Sequence, residues 1–345
     1  MKALLLSKYG QLEVAEVPVP SIARDELLVR VAACGICGSD VHGYDGSSGR
    51  RIPPIVMGHE AAGVVEEVGT EVKGFTRGER VTFDSTVYCG ECANCRRGDV
   101  NLCDRRQVLG VSCGDYRRNG AFAEFVVVPS RIVYRLPENL SFAEAALLEA
   151  VAVALHAVSL APIKAGDTAL VVGAGTIGLL VQQALAVAGC SRVFVTDVDA
   201  ARLKLSARLG ATTVATSDEF QAQLLSSNNG SGVDVAIEAV GNTAAVHTAI
   251  NSVRKGGTAV LVGNVTPEVT IPLQIVVSRQ LRLQGSCASA GEYPQAIKLM
   301  SEGKINVKPL ITAVAPLEEG PRWFERLYAR EPNLMKVVLD PGARA

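Results

Sequence analysis

The stretch Thr168–Asp197, TALVVGAGTIGLLVQQALAVAGCSRVFVTD, decides the fold. It opens on an apolar strand-like run and reaches Gly173-Ala174-Gly175-Thr176-Ile177-Gly178. It continues as a helix-like run to Gly189 and ends in a second strand closed by Asp197. A GxGxxG turn is informative only between a strand and a helix, and here it has both neighbours. Gly173 permits the tight turn, Gly175 lets a pyrophosphate approach the backbone, and Gly178 lets helix and strand pack closely. The helix N-terminus, beginning with Thr176 and Ile177, faces the negative charge. Residues 168–191 carry no charge over 24 positions, long enough to imitate a membrane span. The three glycines and the adjacent Gln182 and Gln183 favour a buried strand, turn and helix instead.

Asp197 lies 19 residues beyond Gly178. A carboxylate there accepts from both ribose hydroxyls and repels a 2′-phosphate, which predicts NAD rather than NADP. Arg202, five residues on, is read as packing along the adenine. Around this stretch strands alternate with helices: RVFVTD, AARLKLSARLG, VDVAIEAVG, TAAVHTAINSVRKGG, TAVLVG. The near-continuous apolar strands predict a doubly wound parallel sheet over about 153–289. The polar LLSSNNGSG reads as a mobile connection. Residues 1–152 differ, with short β-branched runs broken by Gly and Pro that predict a twisted β body. Residues 290–345 return to mixed helix and strand and are expected to rejoin it. Ser141 and Glu144 form a capping-box start to the helix between the two regions.

At 345 residues the chain is long enough for two domains, and its net charge of −1 offers nothing to nucleic acid or an anionic membrane. MKALLLSKYG is too short in apolar residues for a signal-peptide core. Nine cysteines without such a signal imply a reduced, cytoplasmic setting in which clustered thiols are metal ligands.

Cys89, Cys92, Cys95 and Cys103 follow a C-x2-C-x2-C-x7-C spacing. Four thiolates fill a tetrahedral zinc shell and leave no position for water or substrate, so this site is structural. An iron–sulfur cluster lacks the expected C-P. A nucleic-acid zinc ribbon is weakly served by Arg96 and Arg97. An open site needs fewer protein ligands. CGICGSDVHG supplies Cys34, Cys37 and His42, MGHEAAG supplies His59 and Glu60, and Glu149 stands in an apolar helix where an unpaired carboxylate is costly. Cys34 and Cys37 also spell CxxC, but no βαβ pattern surrounds them. His156 and His247 read as packing residues, and Cys113, Cys190 and Cys287 as small buried hydrophobes.

GICGSD, GHEAAGVVEEVG, GERVTF, the four-cysteine loop, GAFAEFVVVP and GAGTIGLL occur in the order seen in zinc-dependent medium-chain alcohol dehydrogenases, and the chain resembles that family throughout. It is most similar to the polyol branch, which includes sorbitol and galactitol-1-phosphate dehydrogenases. The resemblance implies an α/β chain with a GroES-like twisted β catalytic domain (1–152 and 290–345) and a Rossmann domain (153–289). It implies NAD and two zinc ions, one held by Cys37, His59 and Glu60, with Glu149 binding that zinc or its water. Ser39 matches the hydroxyl that takes the substrate proton and His42 the relay to solvent. Val262, Gly263, Ser286, Cys287 and Ala288 match segments flanking the nicotinamide. The implied substrate is a small-molecule alcohol, with no nucleic-acid or membrane partner, and the implied assembly is a homodimer or homotetramer.

Three departures alter the expected pocket. Glu149 is followed by Ala150 instead of proline. The positions of a tyrosine and an Arg-Tyr pair in sorbitol dehydrogenases are Gly43, Ala288 and Ser289, which argues against sorbitol itself. Arg117 and Arg118 precede a cleft-lining segment, where they meet either a substrate phosphate or carboxylate or only solvent. The rival activity is that of an L-threonine 3-dehydrogenase. A cofactor-binding protein without turnover is disfavoured by the retained Cys37, His59 and Glu60.

Overall fold

A computed structural model describes residues 1–217 and 219–343. It divides into two compact units. One comprises Met1–Glu149, Tyr293–Ser301 and Val307–Ala345, the other Ala150–Glu292 and Glu302–Asn306.

The first unit is organised by the strand Glu26–Gly35, whose run of Leu, Val and Ala is buried along most of its length. It pairs antiparallel with Glu60–Val68, Phe125–Pro129 and the C-terminal strand Lys336–Asp340 in a seven-stranded sheet. The tail therefore rejoins the first region over Tyr293–Ser301 and from Val307 on, whereas Glu302–Asn306, expected with it, belong to the second unit. Gly35 is the key junction, opposite Glu60 on one side and Val338 on the other. Three strand ends thus meet at one corner. A Cβ on Gly35 would lie 2.4 Å from Glu60 Oε2, so only glycine leaves the corner open. The core holds Phe83, Phe122 and Phe324, the last two edge-to-face at 5.7 Å between ring centres. Fully burying a side chain of this size contributes roughly 1.5–3 kcal/mol.

In the second unit six parallel strands run Thr212–Thr213, Arg192–Thr196, Thr168–Val172, Val233–Glu238, Val253–Leu261, Arg282–Gly285, which is 3-2-1-4-5-6 in chain order. That is the Rossmann order, with the reversal beside Thr168–Val172. The central strands Arg192–Thr196, Thr168–Val172 and Val233–Glu238 are buried almost throughout because helices cover them, while Arg282–Gly285 at the edge is largely exposed. The capping box at Ser141 and Glu144 is present, although the helix breaks into Phe142–Ala145 and Leu148–Ser159. Phe142–Ser159 is apolar and long enough to cross a membrane by length and composition, and 67% of it is buried in the protein.

Two expectations are corrected here. LLSSNNGSG is not a free connection. Its first half ends the helix Phe220–Ser227, and buried Asn228 then ties the turn down by donating to Thr168 Oγ1 and to the carbonyls of Ser231 and Gly232. A polar run can be anchored when its amide satisfies backbone acceptors. The isolated cysteines are not buried hydrophobes: Cys113 and Cys190 are half-buried and Cys287 is exposed. His156 is a packed and satisfied residue, its Nδ1 2.8 Å from Glu292 Oε1. His247 Nε2 lies 2.9 Å from the Thr270 carbonyl.

Candidate functional site

At the corner where the three strands end, the chain leaves Gly35 and turns into the short helix Gly38–Tyr44, which Cys37 and Asp40 cap. Ligand atoms of Cys37, His59 and Glu60 lie within 4.8 Å of one another. One thiol, one imidazole and one carboxylate suit zinc and leave a coordination position open. His59 is oriented by Asp40, whose Oδ1 is 3.3 Å from Nδ1, so Nε2 is the nitrogen left for a metal. Burial opposes charge on Asp40, but His59 and Arg51 outweigh it and hold the carboxyl well below its usual range. Ser39 Oγ lies 3.5 Å from His59 Nε2. Ser39 and His42, both exposed, are three positions apart on one helix and share a face.

Glu60 is only 1% exposed, and both its oxygens accept from Lys336 Nζ, at 2.9 and 2.7 Å. The third Lys336 donor goes to the Ile36 carbonyl at 3.1 Å. Burial would discharge the lysine, but Glu60 outweighs it and keeps the ammonium charged. A carboxylate has about four lone-pair sites, so Glu60 has capacity for a metal as well as the lysine. Glu149 lies outside the three-residue cluster, and its Oε1 accepts from Ser85 Oγ at 3.3 Å. Burial of its carboxyl, reinforced by Glu60 and Asp84 against the opposing His59 and Lys336, pushes its pKa up to about 7.

Cys89, Cys92, Cys95 and Cys103 form the second cluster, also within 4.8 Å. Backbone N–H groups of Glu91 and Cys92 donate to Cys89 Sγ, the Cys95 N–H to Cys92, and those of Cys89 and Arg105 to Cys103. Those on Cys89 bring its thiol down to about 6, in readiness for a metal. Arg96 and Arg97 face their own loop, through the Glu91 carbonyl and through Asp99 and Asn94. Arg118 is committed to Glu26 and Gln107 at 3.1 and 3.3 Å, so of the arginine pair only Arg117 is exposed and available to an anion.

In the second unit Gly173 has φ +102°, which explains the glycine, and a Cβ on Gly178 would lie 1.8 Å from the Gly173 carbonyl oxygen. A Cβ on Gly175 would meet nothing within 4 Å, leaving the approach to the Thr176–Val187 helix N-terminus open. Asp197 Oδ2 accepts from Ala174 N at 2.6 Å and Oδ1 from Asp199 N at 2.8 Å, which fixes the carboxylate beside the glycine turn. Arg202 leans on Asp199 at 3.6 Å. At the ends of the last two strands, Ser286 Oγ is buried with no hydrogen-bond partner. Ala288 adopts φ +52°, and Val262 and Gly263 donate their N–H groups to the Glu238 carbonyl.

Four residues escape sequence reasoning: Asp40, Arg51, Lys336 and Glu238. Buried Glu238 Oε1 accepts the N–H groups of Val240 and Gly241 at 2.7 and 2.6 Å and so ties down the turn that follows its own strand. An acid or lysine at the tip of an apolar strand, as in VDVAIE and MKVVLD, is the signal available for two of them.

An alcohol dehydrogenase GroES-like domain profile matches residues 23–138, and a zinc-binding dehydrogenase profile matches 176–302. The chain is 34% identical to a sorbitol dehydrogenase of Bacillus subtilis over 99% of this chain and 98% of that one. It is 37% identical to D-xylulose reductase A of Aspergillus niger, over 90% and 89%. A zinc-binding dehydrogenase of Sinorhizobium meliloti, solved with NADP bound, superposes with a TM-score of 0.88 at 33% identity, over 99% of both chains. Taken with the strand order, the glycine turn and the two ligand clusters, these similarities show that the chain belongs to the zinc-dependent medium-chain alcohol dehydrogenases, in their polyol branch.

Proposed function

We propose that the protein is an NAD-dependent zinc dehydrogenase that oxidises a secondary hydroxyl of a polyol or sugar alcohol, free or phosphorylated. The observation that carries this reading is the open three-donor set Cys37, His59 and Glu60 with the exposed Ser39 hydroxyl beside it. Its relatives' names, sorbitol dehydrogenase and D-xylulose reductase, support the substrate class. Zinc bound there would polarise the alcohol oxygen and lower its pKa toward neutrality. Cys37, His59 and Glu60 hold the metal, and Asp40 fixes the imidazole. Ser39 accepts the hydroxyl proton and His42, one turn along, carries it to water. Glu149, buried beside this corner with its carboxyl pKa raised by that burial, would bind the zinc or its water. In the second unit Gly173, Gly175, Thr176, Ile177 and Gly178 cradle the pyrophosphate of NAD, which supplies the hydride acceptor.

NAD over NADP rests on Asp197 and Asp199, two carboxylates at the ribose end that disfavour a 2′-phosphate. Assembly through the Arg282–Gly285 edge is supported by that strand's place at the end of the sheet and by exposed Leu273 and Val277 (62% and 70%) beside it. Nine thiols, none in a disulfide, suit the cytoplasm. The deciding experiment measures NADH and NADPH formation over polyols, polyol phosphates, sugar acids and threonine, with zinc content. Turnover of threonine alone would establish the L-threonine 3-dehydrogenase alternative, and no turnover with zinc bound would defeat the dehydrogenase reading.

A further inference from the structure

Gly43 and Arg51 make a contact that no role above uses. Gly43 lies within the helix Gly38–Tyr44, and a Cβ placed on it would be 2.1 Å from Arg51 Cγ and 3.0 Å from its Cβ. The Arg51 stem therefore crosses the helix at a residue lacking a side chain. Its backbone cannot retreat easily, because residues 50–52 are bonded to Ser112 on both sides. The guanidinium is 4% exposed. Nη1 donates to the Arg50 carbonyl at 3.0 Å, and Nη2 reaches Asp40 Oδ1 at 3.0 Å and Ser39 Oγ at 3.4 Å. Asp40 also faces His59, and His59 faces Ser39, so the four side chains close a ring.

We propose that Arg51 is a positioning residue for Ser39, and that Gly43 is required to let it through. This rests on the relay role proposed for Ser39. A hydroxyl that passes a proton needs one lone pair for the incoming proton and its own O–H for the next carrier. Arg51 occupies the remaining lone pair, so the rotor points usefully. The same guanidinium shares Asp40 Oδ1 with His59 Nδ1, so the imidazole is oriented without a bare buried carboxylate.

The contact makes a sign prediction. Gly43 does not have positive φ, so alanine suits its backbone, and helix propensity alone would make Gly43→Ala raise the melting temperature. The clash instead drives Arg51 off Ser39. The test compares Gly43→Ala, Arg51→Ala and the double variant in the zinc-loaded full chain. Each single variant should keep parental zinc content and NADH affinity, lose roughly tenfold in kcat with little change in KM, and show a larger solvent deuterium isotope effect on kcat. The double variant should be no slower than Arg51→Ala and melt higher than it. With cobalt in place of zinc, the visible spectrum of Gly43→Ala should match that of Arg51→Ala, a readout that needs no turnover.

Additive losses in the double variant, an unchanged kcat in Arg51→Ala, or zinc lost in step with activity would each overturn the proposal. If Gly43→Ala does not fold, its rescue by Arg51→Ala establishes the contact and Arg51→Ala alone tests the positioning. A parent that oxidises no alcohol would defeat the dehydrogenase reading, while the cobalt comparison would still test the Gly43–Arg51 coupling.

Discussion

Among the described residues, metal-ligand atoms gather in two places, and the two are built in opposite ways. The four-cysteine loop takes all its ligands from fifteen consecutive residues, binds them with its own backbone N–H groups, and has only Cys103 buried. The Cys37–His59–Glu60 cluster takes its ligands from two separate strand ends and is backed by buried Asp40, Arg51 and Lys336. The loop spends four ligands on closing a shell. On the proposed reading the corner offers three and keeps the fourth position for chemistry. A local loop suffices to hold a metal, but a reactive metal needs partners that only a folded core holds at fixed distance.

The contrast breaks first at the ligands themselves. His59→Ala should remove one zinc and lower kcat/KM by at least about 10³-fold, since several kcal/mol of transition-state stabilisation leave with the metal. Cys92→Ser should also remove one zinc but lower the melting temperature while the folded fraction stays active. Turnover abolished in Cys92→Ser molecules that remain folded would refute the closed-shell reading.

Lys336→Met leaves Glu60 charged and alone in the core, a loss of about 3–5 kcal/mol in metal-free protein. Urea unfolding with and without added zinc checks this, because a metal on Glu60 should recover part of the loss.

Asp40→Asn should weaken zinc at the corner by about 10–100-fold while leaving the loop's zinc in place, as read by chelator competition. It has a pH consequence too. The Asp40 carboxyl is depressed in the folded state, so its contribution is complete above its ordinary value of 3.8 and is lost as pH falls through the lower folded value. In metal-free protein the asparagine variant should therefore show a shallower loss of stability below pH 4 than the parent.

At the small end, Arg105→Ala removes an exposed pairing with Glu91 on the loop and should leave the unfolding midpoint unchanged. A measurable drop would mean that the loop too depends on side-chain partners.

Much of this was legible before folding. The cysteine spacing, the GxGxxG turn between strand and helix, and Asp197 at the next strand's end are local patterns. Their physics is complete within a few residues, and the structure shows their local geometry: Gly173 at positive φ, Gly178 against Gly173, and Asp197 accepting the Ala174 N–H. The ligand trio was reached only through family resemblance, since nothing in GICGSD or GHEAAG by itself brings Cys37 to Glu60. The errors have the same origin. Asn228, expected to be mobile, and Arg118, expected to meet either an anion or only solvent, are instead held by partners 60 and 92 residues away.

By itself, then, the sequence determined the fold class, the dinucleotide turn and the four-thiol loop, because short-range spacing sets backbone conformation and coordination number. Tertiary structure decided which charges surround the reactive corner. Lys336 meets Glu60 across 276 positions, and Arg51 reaches Ser39 only because Gly43 lies under its stem. Burial makes such charges costly unless paired, and the pairing is set by which strand ends meet.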